Sequence, residues 1–231
     1  INKWDTQPLR MEVWIEKDAL VDVVARPANG LQIPYFACRG YNSTSNASQA
    51  AQRIESYYDG GAERVVILHL GDHDPEGIDM TRDIEDRFRA FLSGDGYQQG
   101  WADMTAREMQ EGSEYEIKDV DDHLAFEIRR IALNMDQVRQ YNPPPNPAKE
   151  TSSRYSGYVE RFGTRTSWEL DALDPPTIDA LIRAEVEAER DQELWDEAEE
   201  NETKARDLLG RTSQRWDEVV AFLEDDDDDG S

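Results

Sequence analysis

The sequence predicts an α/β protein whose parallel sheet is flanked by helices, followed by an acidic helical extension. Three observations predict it. "RVVILHL", Arg64 to Leu70, is a short apolar, β-branched run of the kind buried on both faces of a parallel sheet. Strand-like and helix-like stretches alternate through the first part of the chain, the order that right-handed parallel crossovers require. Acidic residues stand directly after the apolar runs, where open α/β sheets bind ligands.

The first strand is expected over Met11 to Ile15, ending at Glu16 before a helix-like segment. The second runs from Ile33 to Cys38, then Arg39, Gly40 and a Ser/Thr-rich turn that can cap a helix through Ala47, Ala50, Ala51 and Ile54. The third is Arg64 to Leu70, which should stop at Gly71. Pro75 suits a first helical turn, and Ile78, Ile84, Phe88 and Leu92 continue a helical stripe. "SGDGYQQGWADM", residues 93 to 104, reads as a loop, and "HLAFEIRRIAL" as one more strand that can add to the sheet. "YNPPPNPAKE", residues 141 to 150, holds four prolines and predicts a stiff connector at a subdomain boundary. Beyond it, Ile178, Leu181 and Ile182, then Leu194, Trp195 and Ala198, then Leu208, Leu209 and Trp216 recur at helical intervals. Two or three acidic helices fit, packed on the same chain or on another subunit, which makes a homodimer one expected assembly.

"HLGDHDPEGIDM", residues 69 to 80, carries the chemistry. In an extended segment residues i and i+2 point the same way, so Asp72 and Asp74 share a face that His73 does not. Two like charges held together call for a cation or a proton, and a hard divalent ion with oxygen ligands is the simplest answer. The plainer reading is that the acids cap the following helix. Glu16, after the first strand, converges on the same crevice if the two strands are neighbours. His73 either approaches a phosphate or lines the turn, and His69 should face the covering helices. Cys38 is the only cysteine, which excludes an internal disulfide and a cysteine-based zinc site and fits core packing.

These residues resemble a Toprim (topoisomerase-primase) domain, a Rossmann-like fold built on a glutamate after its first strand, a glycine after its second and a D-x-D after its third. "IEKDA", "RGY" and "DHDPEGI" are similar to the version in the topoisomerase VI A subunit and its meiotic relatives that make double-strand breaks, where the acid pair reads D-x-D-P-x-G. Farther on, "IRRIALNMDQV" and "SWELDALDPPTIDAL" resemble the C-terminal extension of those subunits and Toprim proteins of mobile elements. The resemblance implies that Glu16, Asp72 and Asp74 bind Mg²⁺, with Mn²⁺ as a substitute, and form the catalytic centre. DNA is the implied substrate, with Lys17, Arg39, Gly40 and His73 as its expected contacts.

One departure bears on mechanism. In the topoisomerase VI family the nucleophilic tyrosine lies on a winged-helix domain before the Toprim domain, whereas the ten residues before Met11 contain no tyrosine. The expectation is a fragment or processed product, with an upstream winged-helix domain or a partner subunit supplying what is missing. Three functions follow: strand cleavage by Mg²⁺-dependent phosphoryl transfer, hydrolytic nuclease action, or a nonenzymatic interaction subunit steadied by a metal. Residues 1–10 then read as the remnant of an upstream region and 11–140 as the Toprim domain, with an inserted loop at about 93–125. Residues 141–150 form the connector, 151–224 the acidic helical extension and 225–231 a disordered acidic tail.

Charge argues against a polyanion partner unless cations are concentrated locally, since 51 acids face 25 bases for a net charge of −26. Residues 11–94 hold 8 Lys and Arg against 14 Asp and Glu, whereas residues 95–231 hold 15 against 36, so the excess is mainly C-terminal. No apolar run approaches bilayer length and no signal segment opens the chain, which predicts no membrane partner and a cytoplasmic protein.

Overall fold

The computed structural model describes residues 2–38, 44–92, 125–218 and 220. Arg39, Gly40, Tyr41, the inserted loop and the C-terminal tail lie outside them. The chain divides into two compact units, one of residues 8–190 and one of residues 1–7 with 191–231. The division falls at Arg190, not at the proline-rich connector where sequence places a boundary. Much of the expected extension therefore folds as one body with the sheet.

The larger unit is built on four parallel strands in the order β2-β1-β3-β4: β1 Leu9–Ile15, β2 Tyr35–Ala37, β3 Arg64–Leu70 and β4 Ala125–Ala132. β3 has the bounds its apolar run predicts. β2 is shorter than expected because the Ile33 amide donates to Ala28 O, completing the end of the preceding helix instead of joining the sheet.

Helix α1 (Val21–Leu31) follows β1, α2 (Thr44–Asp59) follows β2 and α3 (Pro75–Leu92) follows β3. Trp14, Val65, Ile67, Phe126 and Ile128 of the sheet bury against Ile54 of α2 and Ile84 and Phe88 of α3, with Cys38 inside this core as expected. Side chains of successive strand residues alternate between faces. The opposite face, carrying Met11, Val13, Val66 and Leu68, is covered by α1 and by a later helix, α6 (Pro175–Glu189), through Val24, Ala28, Ile178, Ile182 and Val186. Glu12 is the one wholly buried acid of β1. It accepts from Trp14 Nε1 at 2.7 Å, Arg53 Nε at 2.7 Å and Tyr57 Oη at 2.7 Å, which ties α2 to the sheet.

Between β4 and α6 lie α4 (Met135–Tyr141), α5 (Tyr155–Phe162) and a two-residue antiparallel pair, β5 (Asn146–Pro147) with β6 (Thr166–Ser167). The proline-rich stretch thus contributes a short edge pairing, which proline permits.

In the smaller unit, α7 (Gln192–Gln214) is capped by the Asp191 carboxylate, and Trp195 meets Trp4 edge to face with ring centroids 5.6 Å apart. Lys3 pairs with Glu199 at 2.7 Å. Burial stops after Ala198: Leu208, Leu209 and Trp216, which sequence places on a packing stripe, are 62%, 68% and 56% exposed. Among the described residues no helix is long and apolar enough to cross a membrane.

Candidate functional site

The C-terminal ends of β1 and β3 bring Glu16 to the aspartate turn. The Glu16 amide donates to Leu70 O at 2.9 Å, continuing the ladder one step past the strands, and Glu16 Oε2 accepts from the Asp72 amide at 3.1 Å across 56 residues of sequence. Two glycines make the approach feasible. A Cβ on Gly71 would lie 2.6 Å from Glu16 Oε2, and one on Gly77 would lie 2.4 Å from Asp72 O and 3.0 Å from Glu16 Oε2.

Each acid already has partners. Asp72 Oδ1 accepts from the Leu170 amide at 2.7 Å and lies 3.3 Å from Lys17 Nζ. Asp74 Oδ1 accepts from the Gly77 amide at 2.6 Å, so Asp74 also caps α3, the plainer of the two sequence readings. Burial raises the pKa of all three above ordinary carboxyl values. For Glu16 the charges of Asp72 and Asp74 add to that, and for Asp72 the charge of Asp74. In these contacts Glu16 uses Oε2 and Asp72 uses Oδ1, leaving the other oxygen of each, among the described residues, for a hard cation. No three or more His, Cys, Asp or Glu side chains among the described residues are gathered to hold a metal ion.

Lys17 is an internal counterion. Its Nζ lies 2.6 Å from Glu169, 3.3 Å from Asp72 and 3.3 Å from Asp171. Burial works against its ammonium, yet these three acids outweigh burial and hold its pKa above the ordinary lysine value. Its charge is balanced inside the crevice rather than displayed to a DNA backbone.

His73 lines the turn, the plainer of its two readings, and is not the DNA contact that the resemblance implies. It is 1% exposed, offers no surface to a bound phosphate, and its ring stands among Tyr158, Phe162 and Trp168. Its backbone bridges to Trp168 in both directions, at 2.8 and 3.0 Å, and its Nδ1 lies 2.8 Å from Tyr158 Oη. Burial, with Arg130 and Arg161 nearby, lowers its pKa to about 4, so the imidazole is neutral at pH 7. His69 faces α3 as expected, with Nδ1 2.8 Å from Thr81 Oγ1.

Sequence reasoning missed Arg130. From β4 its guanidinium donates to Gly71 O at 2.8 Å, Asp72 O at 2.5 Å, Gly77 O at 2.9 Å and Thr81 Oγ1 at 3.0 Å. It pins the D-x-D turn and the start of α3 from below. Burial lowers its pKa to about 10 against the pull of Glu16, Asp72 and Asp74. The only signal was two arginines inside a mainly apolar strand, "FEIRRIAL". Also missed were Glu169, Asp171 and the Leu170 amide, which "SWELDAL" brings onto the crevice.

No family model, curated protein or solved structure matches this chain.

Proposed function

We propose that this chain carries a Toprim-type centre for Mg²⁺-dependent phosphoryl transfer on DNA, cleaving a strand in the manner that its resemblance to topoisomerase VI A subunits implies. One observation carries the reading: the Glu16 carboxylate reaches the Asp72 amide at 3.1 Å from a different parallel strand, as the motif requires. Oxygen donors with pKa values raised by burial and mutual repulsion are the chemistry a hard cation relieves. Glu16, Asp72 and Asp74 would hold it. When bound, the ion would stabilise charge developing on the phosphate and the leaving oxygen. Arg130 fixes the carbonyls of the turn, so the aspartates enter the crevice from a rigid backbone. Lys17 limits the repulsion among the acids and pulls the Asp72 pKa down against the burial that raises it.

A specific observation favours a second reading, a nonenzymatic interaction subunit steadied by a metal. Asp72 and Asp74 are already engaged by Lys17, Leu170 and Gly77.

Supercoiled plasmid with Mg²⁺ or Mn²⁺ separates these readings. The protein, together with any upstream domain or partner that supplies a nucleophilic tyrosine, should cut the plasmid, as should this chain alone if water is the nucleophile; chelator should stop it, and Glu16→Gln and Asp72→Asn/Asp74→Asn should each lower the rate at least a hundredfold. Protein covalently attached to a DNA end identifies transesterification, and free ends identify hydrolysis. A chain that cuts nothing but binds Mn²⁺ in a titration that Asp72→Asn/Asp74→Asn abolishes supports the second reading. A Glu16→Gln variant that cuts as well as the parent overturns the first.

A further inference from the structure

A cavity of about 410 Å³ lies between α3 and α5, beside the acidic crevice but separate from it. Arg82, Arg154 and Arg161 line it together with a single acid, Asp79. Asp79 accepts from Arg82 Nε at 3.0 Å and also from Arg154 Nε, and Asp86 pairs with Arg82 too, so both guanidinium groups are fixed in place. Arg161 is exposed and pairs with no carboxylate among the described residues, its guanidinium carbon lying 5.1 Å from the Phe162 ring centre. Ser153 and Ser156 add hydroxyls to the rim, while Pro75, Ile78 and Phe162 supply apolar lining. Residues 149–165 hold four bases and two acids, a local reversal in a chain of net charge −26.

We infer that this cavity binds a nucleoside phosphate. Guanidinium forks match phosphate oxygens in geometry and charge, and hydroxyls complete such a shell. The aromatic and aliphatic wall is redundant for an inorganic anion and suits the face of a planar base. The volume lies in the range of roughly 300–1,000 Å³ typical of small-molecule pockets. The ligand is a free nucleotide or one unit of a single strand. In the second case the strand passes Pro75, the residue after Asp74, and so runs beside the acids. The inference stands without the metal reading.

Binding is measured by fluorescence anisotropy on the full chain in chelator, with labelled deoxyadenosine monophosphate and with a short labelled oligodeoxynucleotide. Arg161→Glu should weaken binding at least tenfold and, on the oligonucleotide, lower the slope of log K against log salt by about 0.7 for each phosphate that is no longer neutralised. Gly157→Leu blocks the cavity without changing charge, since Gly157 lines it and a Cβ there meets nothing within 4 Å. It should weaken binding as much. Arg139→Glu, at an exposed position of α4, should bind as the parent does. Binding of both probes identifies a free-nucleotide site, and binding of the oligonucleotide alone identifies a strand subsite. No binding of either probe, equal weakening in Arg139→Glu and Arg161→Glu, or parental affinity in Gly157→Leu overturns the inference. Plasmid cleavage with parental affinity in the cavity variants removes this inference alone, and nucleotide binding without cleavage removes only the cleavage reading.

Discussion

Gly71 and Gly77 both clear space for Glu16, but they do so against different neighbours. At Gly71 a new methyl meets first the end of the Glu16 side chain, which can swing away. At Gly77 it meets the Asp72 carbonyl at 2.4 Å, which Arg130 holds in place. Gly77→Ala should therefore destabilise the fold by about 1–3 kcal/mol, the range for overpacking a fixed site. Gly71→Ala should leave the urea midpoint closer to the parent's and, on the proposed metal reading, should weaken Mn²⁺ binding more than stability. Paired urea melts and metal titrations of the two variants check this, and equal midpoints would refute the assignment of a fixed carbonyl at Gly77. Sequence showed both glycines but not what each faces, because Gly71 meets Glu16 from a distant strand and Gly77 meets a carbonyl that Arg130 of β4 holds in place.

At the scale of elements, α5 and β6 are joined to the D-x-D turn through one hydroxyl. Tyr158 Oη lies 2.7 Å from Thr166 O and 3.2 Å from His73 O, besides its contact with His73 Nδ1. A hydroxyl has one proton, and the shorter contact favours donation to Thr166 O, so His73 Nδ1 carries the hydrogen that reaches Tyr158. Tyr158→Phe should leave these groups without their partner and lower stability by about 1–3 kcal/mol, read from the urea midpoint. Unchanged stability would mean that the hydroxyl is not what joins α5 to the turn. The elements themselves were largely legible. Apolar runs and a proline at a helix start depend only on local spacing, so β3 and the start of α3 fall where the sequence puts them. The backbone bridge between His73 and Trp168 has no comparable local pattern.

For the whole molecule, buried histidines set the response to acid. Burial, with Arg130 close by, holds the His69 pKa down to about 3, and His73 is held to about 4. In the unfolded chain both imidazoles titrate near 6.5. As pH falls through 6.5 the unfolded state takes up protons that the folded state refuses, so stability declines toward pH 4. Glu16, Asp72 and Asp74 act in the opposite sense. Their raised pKa values let the folded state bind protons first, so acid relieves a penalty that is present at neutral pH. Stability should fall between pH 6.5 and 5 and fall less steeply below. His69→Gln should reduce the upper slope by as much as about 1.4 kcal/mol per pH unit, one proton's worth. Denaturant titrations across this range test it, and a slope unchanged in His69→Gln would show that His69 is not excluded from protonation.

What the sequence by itself determined was local. Apolar runs of strand length, helical stripes and acids at strand ends specify an α/β chain with acids at the C-terminal ends of parallel strands, because periodicity and strand-end position survive without knowledge of neighbours. Tertiary structure decided the company those acids keep. It placed Arg130 beneath the turn, drew Lys17 inward among three carboxylates, buried His73 in an aromatic cage and folded Trp168 to Asp171 over the crevice. It also joined residues up to Arg190 to the sheet, across a connector that composition marks as a boundary. The physical reason is that a side chain's partners are set by whichever surface buries the most apolar area, and α6 buries its apolar residues against α1 and the sheet.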